Sequence, residues 1–198
     1  MASAEWWWRG KLTEAQDIQP YNVLFLSTGS AGRSVMAAAI LNRHAGDRFR
    51  AFAAGTDPDG AINPVALAVL EAEDFETEGL RFQSVSDFTA PGAPEMDFIF
   101  TLCDDAAGED LPEWPGDPVT AHWGIENPAK VEGTPIEKER AFETAFHYIR
   151  NRVLAFAALP LKTLDHLSLH SHLQAIARQD GATAEATAQA TAGTPAQG

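Results

Sequence analysis

Residues 26–34 read Leu-Ser-Thr-Gly-Ser-Ala-Gly-Arg-Ser. A loop of this composition between a strand and a helix can turn successive backbone N–H groups inward, making a concave nest for a tetrahedral oxyanion. Gly29 and Gly32 tolerate the positive φ angles such wrapping needs. The hydroxyls of Ser27, Thr28, Ser30 and Ser34 add donors, and Arg33 can fork two N–H groups onto two oxygens. Ala31 lies inside the same run. Nucleotide-binding loops fit less well: the NTPase pattern needs a Lys beside its Ser/Thr, and the dinucleotide fingerprint needs a third Gly. Position and composition alone leave open a plain Gly/Ser turn carrying a surface Arg.

The elements that must hold this loop can be read on either side of it. Val23-Leu24-Phe25-Leu26 is continuously apolar, as expected of a strand buried on both faces. Val35 to Leu41 reads as a helix ending near Gly46. Phe49–Ala54, Asp97–Leu102 and Val119–Trp123 are further strand candidates, and residues 84–96 read as irregular. Asn63-Pro64 opens a helix through about Glu73, with Pro at its first position. Thr134-Pro135-Ile136-Glu137 carries a capping-box pattern, and behind it Phe142, Phe146, Ile149, Val153 and Phe156 fall on one helical face. Leu164 to Arg178 is amphipathic. Alternating strands and helices imply a parallel sheet flanked by helices, with ligands beyond the carboxyl ends of the strands. Residues 1–20 read as an irregular leader containing Trp6, Trp7 and Trp8, residues 21–180 as one domain, and residues 181–198 as a disordered Ala/Thr-rich tail.

The 198 residues are 45% hydrophobic and 21% charged, which are globular values. Fourteen Lys+Arg against 28 Asp+Glu give a formal charge of −14. Non-specific nucleic-acid or anionic-membrane binding relies on basic surface, so neither partner is expected. No apolar run is long enough to span a bilayer, and no secretion signal is readable. A single cysteine, Cys103, excludes an internal disulfide, and a cytoplasmic location is expected.

The stretch Val23 to Ala37 resembles the phosphate loop of low-molecular-weight protein tyrosine phosphatases and thioredoxin-coupled arsenate reductases, whose pattern is a Cys, five residues, then Arg-Ser. Ala53-Ala54-Gly55-Thr56, Thr101-Leu102-Cys103-Asp104, Trp114-Pro115-Gly116, His122-Trp123-Gly124 and Asn127-Pro128-Ala129 resemble the arsenate reductase branch. The likeness covers roughly residues 21–178. It implies a three-layer α/β fold, a four-stranded parallel sheet flanked by helices (phosphotyrosine phosphatase I-like), and no cofactor.

The departures from the family fall on the chemistry. Ser27 stands at the nucleophilic Cys, and an alcohol is not ionised at neutral pH by the field that depresses a thiol pKa. Asn127 stands at the Asp that protonates the leaving group, and an amide is no general acid. Cys103 matches the first relay cysteine, whereas Leu111 stands near the second. Ser27 alone would suit a trapping substitution; with Asn127 and Leu111 the pattern is that of a degenerate relative. The resemblance thus implies binding of phosphate, arsenate or a phosphorylated partner by residues 27–34, with Arg33 as main ligand and no catalysis. Two alternatives stay open. One is an active arsenate reductase or phosphatase using Ser27 or Cys103 with an external thiol or thioredoxin. The other is an interaction protein with a vestigial loop.

Beyond the loop, Cys103 is a candidate redox thiol or arsenite site, although free Cys is commonly buried and inert. His166 and His170 stand at i, i+4 without a readable third ligand, and His172 points away, so no metal site is expected. Asp57, Asp59, Asp104, Asp105, Glu109 and Asp110 read as solvated acidic loops without calcium-loop spacing.

Overall fold

A computed structural model describes residues 19–28, 31–55, 61–108 and 113–192. Five strands, β1 (Tyr21–Leu26), β2 (Phe49–Gly55), β3 (Gln83–Ser84), β4 (Phe98–Thr101) and β5 (Val119–His122), form one sheet in the order β3-β2-β1-β4-β5. Every pairing is parallel, and the register sets Ala54, Leu26, Thr101 and His122 side by side at the carboxyl edge. The helices are α1 (Arg33–Ala45), α2 (Pro64–Ala72), α3 (Asp104–Gly108), α4 (Pro135–Ala157), α5 (His166–Ala177) and α6 (Ala184–Ala192).

Strand β1 is apolar throughout because both of its faces are covered. Val23 and Phe25 join the core with Met36 and Ile40 of α1 and Phe142, Phe146, Ile149, Val153 and Phe156 of α4. Leu24 and Leu26 point the other way, against Val85, Phe88, Met96 and Ile99. Removing one of these large side chains costs about 3–5 kcal/mol when the space cannot collapse. The expected face of α4 is therefore the face that packs. Its start is also as read: Thr134 Oγ1 accepts from the Glu137 N–H, and Glu137 Oε2 accepts from the Thr134 N–H at 2.7 Å.

Two expectations need correction. The sheet has five strands rather than four, because the two-residue strand β3, Gln83–Ser84, which overlaps the start of the stretch read as irregular, pairs with Ala54 and Gly55. Two residues are too few for any alternation to show. The second correction concerns the tail. Residues 181–192 form a turn and a packed helix instead of a disordered segment. Alanine is the strongest helix former, Thr183 Oγ1 accepts from the Ala186 N–H at 3.2 Å, and Ala186 and Ala190 are buried. Arg178 Nη1 donates to the Ala190 carbonyl at 2.8 Å.

The turn before α6 is fixed from beneath. Arg152, fully buried in α4, donates to the carbonyls of Gln179 at 2.9 Å and Asp180 at 3.0 Å. Burial lowers its pKa to about 10. Gly181 follows at φ +79°, where any Cβ would strike the Tyr148 ring. The chain then pairs Ala182 with Ile125 in an antiparallel bridge, which carries α6 to the carboxyl edge of the sheet. Residues 1–18, with Trp6–Trp8, and residues 193–198 lie outside the described residues. Among those described, no helix is long and apolar enough to cross a membrane.

Candidate functional site

Three chain segments leave the carboxyl edge close together: the loop after β1, Leu102–Asp104 after β4, and Trp123–Asn127 after β5. Parallel pairing forces this convergence, since Leu26, Thr101 and His122 are in register. Ser27 and Ser34 are both buried, and their hydroxyl oxygens lie 2.8 Å apart. No imidazole or carboxylate is hydrogen-bonded to either hydroxyl among the described residues.

Arg33 opens α1 but turns inward rather than out. Only 3% exposed, it donates from Nη1 to the Ile125 carbonyl at 2.6 Å and to the Leu102 carbonyl at 3.1 Å. Those bonds use one nitrogen; Nε and Nη2 carry the remaining three N–H donors of the guanidinium. Burial lowers its pKa below the ordinary arginine value, while Cys103, Asp105, Asp104 and Glu126 act in the opposite sense. Arg33, Cys103, Asp104, Asp105, Glu126, Asn127, Lys130 and Thr183 line a cavity of about 90 Å³, together with Ile125.

The expected loop residues divide. Arg33 lines the cavity, Thr28 contacts Cys103, and Ser27 and Ser34 contact each other, whereas Gly29 and Ser30 lie outside the described residues. Ala31 is core. Gly32 has φ −101° and serves as the N-cap of α1, so its wrapping role is not by positive φ. It is small because a Cβ would come within 3.0 Å of the Phe142 ring. Cys103 is buried, and its Sγ lies 3.1 Å from both the Thr28 N–H nitrogen and the Thr28 hydroxyl. Asn127 accepts from the Ala129 N–H at 3.1 Å, capping the single turn Pro128–Lys130. Leu111 lies outside the described residues.

A hydrogen-bonded chain that sequence reading missed runs beside the cavity. Thr101 Oγ1 lies 2.8 Å from His122 Nδ1, and His122 Nε2 lies 2.9 Å from Asp104 Oδ1. Thr183 Oγ1 donates to the same Asp104 oxygen at 2.6 Å. A carboxylate accepts, so the contact with Asp104 calls for an N–H at His122 Nε2, and Nδ1 meets the Thr101 hydroxyl. Gly124 makes room for this chain: a Cβ there would collide with Thr183 Oγ1, Asp104 Oδ1 and His122 Nε2. The signal that was available was Thr183 ahead of an alanine-rich run, an N-cap pattern.

Larger cavities lie elsewhere. One of about 320 Å³ sits between β5 and helices α5 and α6. Another of about 520 Å³ sits between the Asn127–Val131 turn and α4. Neither is lined by Arg33 or Cys103. His170 contacts Gln174 at 2.8 Å rather than a metal-ligand partner, and no group of three or more metal-ligating side chains occurs among the described residues.

Residues 22–166 match the family described as low molecular weight phosphotyrosine protein phosphatase. An arsenate reductase of Bacillus licheniformis is 33% identical over 136 residues, which is 68% of this chain and 94% of that protein. One of Bacillus subtilis is 30% identical over 135 residues, again 68% and 94%. Among solved structures, an arsenate reductase in the phosphate binding state aligns with TM-score 0.56 at 21% identity, covering 70% of this chain and 97% of that one. A low molecular weight protein tyrosine phosphatase from T. tengcongensis aligns with TM-score 0.53 at 19% identity, covering 67% and 95%. Both structural likenesses show the fold. Helix α6 lies beyond the residues matched to the family.

Proposed function

Because this chain belongs to the low molecular weight phosphotyrosine protein phosphatase family, we propose that it uses the family's anion site for binding alone. It holds a tetrahedral oxyanion, phosphate or arsenate or the phosphoryl group of a partner, with Arg33 and residues 27–34, and releases it unchanged. The observation that carries this reading is the inward guanidinium of Arg33, clamped by the Leu102 and Ile125 carbonyls at the wall of a cavity of about 90 Å³. A fixed, desolvated guanidinium gives a strong, directional anion contact. Its relatives bear the name arsenate reductase, and one solved neighbour is described in a phosphate binding state, which supports this ligand class.

Turnover lacks its parts. The Ser27 hydroxyl is shared with Ser34 and has no base. Asn127 presents an amide already used as a cap, and an amide is no general acid. Calorimetry with inorganic phosphate and arsenate tests the reading: saturable binding that falls at least about tenfold in Arg33→Ala supports it. Absence of binding in both proteins would leave the loop vestigial and favour an interaction protein.

One observation favours a second reading. The sole thiol, Cys103, receives the Thr28 N–H and sits at the same cavity. Arsenate reduction would then need both electrons from Cys103 and an external thiol such as thioredoxin. Arsenate-dependent oxidation of reduced thioredoxin, lost in Cys103→Ser, would establish it.

A further inference from the structure

The cavity around Arg33 is not simply basic. Two cationic side chains, Arg33 and Lys130, share its lining with three carboxylates, Asp104, Asp105 and Glu126. Lys130 lies 3.7 Å from Asp105, and both are well exposed, so each is largely answered by the other and by water. Glu126 is exposed as well. Asp104 differs. It is half-buried, and its Oδ1 is pinned by donors from His122 and Thr183. Its second oxygen carries no hydrogen bond among the described residues. A carboxylate held in this way accepts and never donates.

An oxyanion entering beside Arg33 must therefore place one of its oxygens near a fixed carboxylate. A bare oxygen there sets two negative charges together with no proton between them. An oxygen that carries its own proton donates to the carboxylate and turns the same contact into a charge-assisted hydrogen bond. We infer that this site is selective for free oxyanions that retain a proton, such as hydrogenphosphate and hydrogenarsenate, with Asp104 as the residue that reads the proton. Sulfate, which has none at neutral pH, is turned away. So is a phosphomonoester, which loses its last acidic proton with a pKa near about 6. This rests on the oxyanion reading above and decides among its ligands: inorganic phosphate or arsenate, not a phosphorylated protein.

The second observation is where the carboxylate gets its fixity. Thr183 lies outside the residues matched to the family, yet it lines the cavity and donates to Asp104 at 2.6 Å. The bridge between Ala182 and Ile125 and the N–H of Thr183 on the Gly124 carbonyl at 3.1 Å hold it there. The segment beyond the family match thus supplies a positioning residue for selection at the site.

At about pH 8 hydrogenphosphate, hydrogenarsenate, sulfate and methyl phosphate are all predominantly dianions, so they differ in the proton and not in charge. Calorimetry of the full chain with each of the four is the test. The expected result is binding of phosphate and arsenate with sulfate and methyl phosphate at least about 100-fold weaker, as for sites that require a donor the ligand lacks. Asp104→Asn should bring sulfate to within about tenfold of phosphate, whereas Asp47→Asn, on the exposed turn after α1, should leave the ratio unchanged. Sulfate binding within about threefold of phosphate in the unaltered chain overturns the inference while keeping the oxyanion site. A high ratio that survives Asp104→Asn overturns the role of Asp104. Silence of all four ligands removes the oxyanion reading and this inference with it. The comparison of ligands on the unaltered chain stands even if the Asp104 variant fails to fold, and Thr183→Val, which removes only the hydroxyl from the carboxylate, is the second probe.

Discussion

Ser27 and Ser34 place two hydroxyls 2.8 Å apart behind the loop, where a thiol would face Ser34 and the N-terminus of α1. The exchange of oxygen for sulfur removes ionisation, not shape, so restoring sulfur alone should recover little. Ser27→Cys is expected to hydrolyse an aryl phosphate barely above background. Adding Asn127→Asp should raise the rate by about 100-fold or more, the usual contribution of a positioned general acid. A single variant as fast as the double one would show that Asn127 stands at no proton-donating position. The polar chain Thr101–His122–Asp104–Thr183 lay beyond sequence reading for a plain reason: its members come from three separate places in the chain. Ser27, Arg33 and Asn127 were legible because their neighbours form contiguous patterns, whereas Asp104 looked like one more acid in an acidic loop.

The helices show what local sequence can and cannot say. The Thr134 capping box was readable, with Glu137 accepting from Thr134; the Asp165 cap, which accepts from the Ser168 N–H at 2.8 Å, was not, since residues 164–178 read only as amphipathic. Those bonds hold both carboxylates below their ordinary pKa values of 4.5 and 3.8. A carboxylate with a depressed folded pKa stabilises fully above its ordinary value and loses that contribution as pH falls through the folded one. The melting temperature should therefore drop on acidification below about pH 4.5, and less steeply in Glu137→Gln and Asp165→Asn, as followed by circular dichroism. Equal slopes in all three proteins would count against a role for these caps. The strand pattern, α4 and its packed face were also legible, because each repeats over many residues. Strand β3 was too short to repeat. Helix α6 has no large apolar side chain and was lost for that reason; its Thr183 cap is local, whereas the Arg152 anchor and the Thr183–Asp104 bond that hold it in place are contacts with distant parts of the chain.

Over the whole molecule the formal charge of −14 opposes the approach of any anion. Attraction at Arg33 is local, while repulsion extends over roughly a Debye length, about 10 Å at 0.1 M salt. The association rate of phosphate should consequently rise as potassium chloride is increased from about 10 to about 200 mM, opposite in sign to a site served by electrostatic steering. Stopped-flow measurement of a falling rate would mean that the field at the mouth is positive despite the overall charge. The bridge of Ala182 to Ile125 has a temporal consequence. A ribosome delivers residues in order, so Arg33, Cys103 and Asn127 emerge well before Thr183. The nascent chain can pair its strands before the last wall of the pocket has emerged, and a stop codon between α5 and Ala182 would release a chain that keeps the core residues of α5 but lacks the Thr183 donor to Asp104.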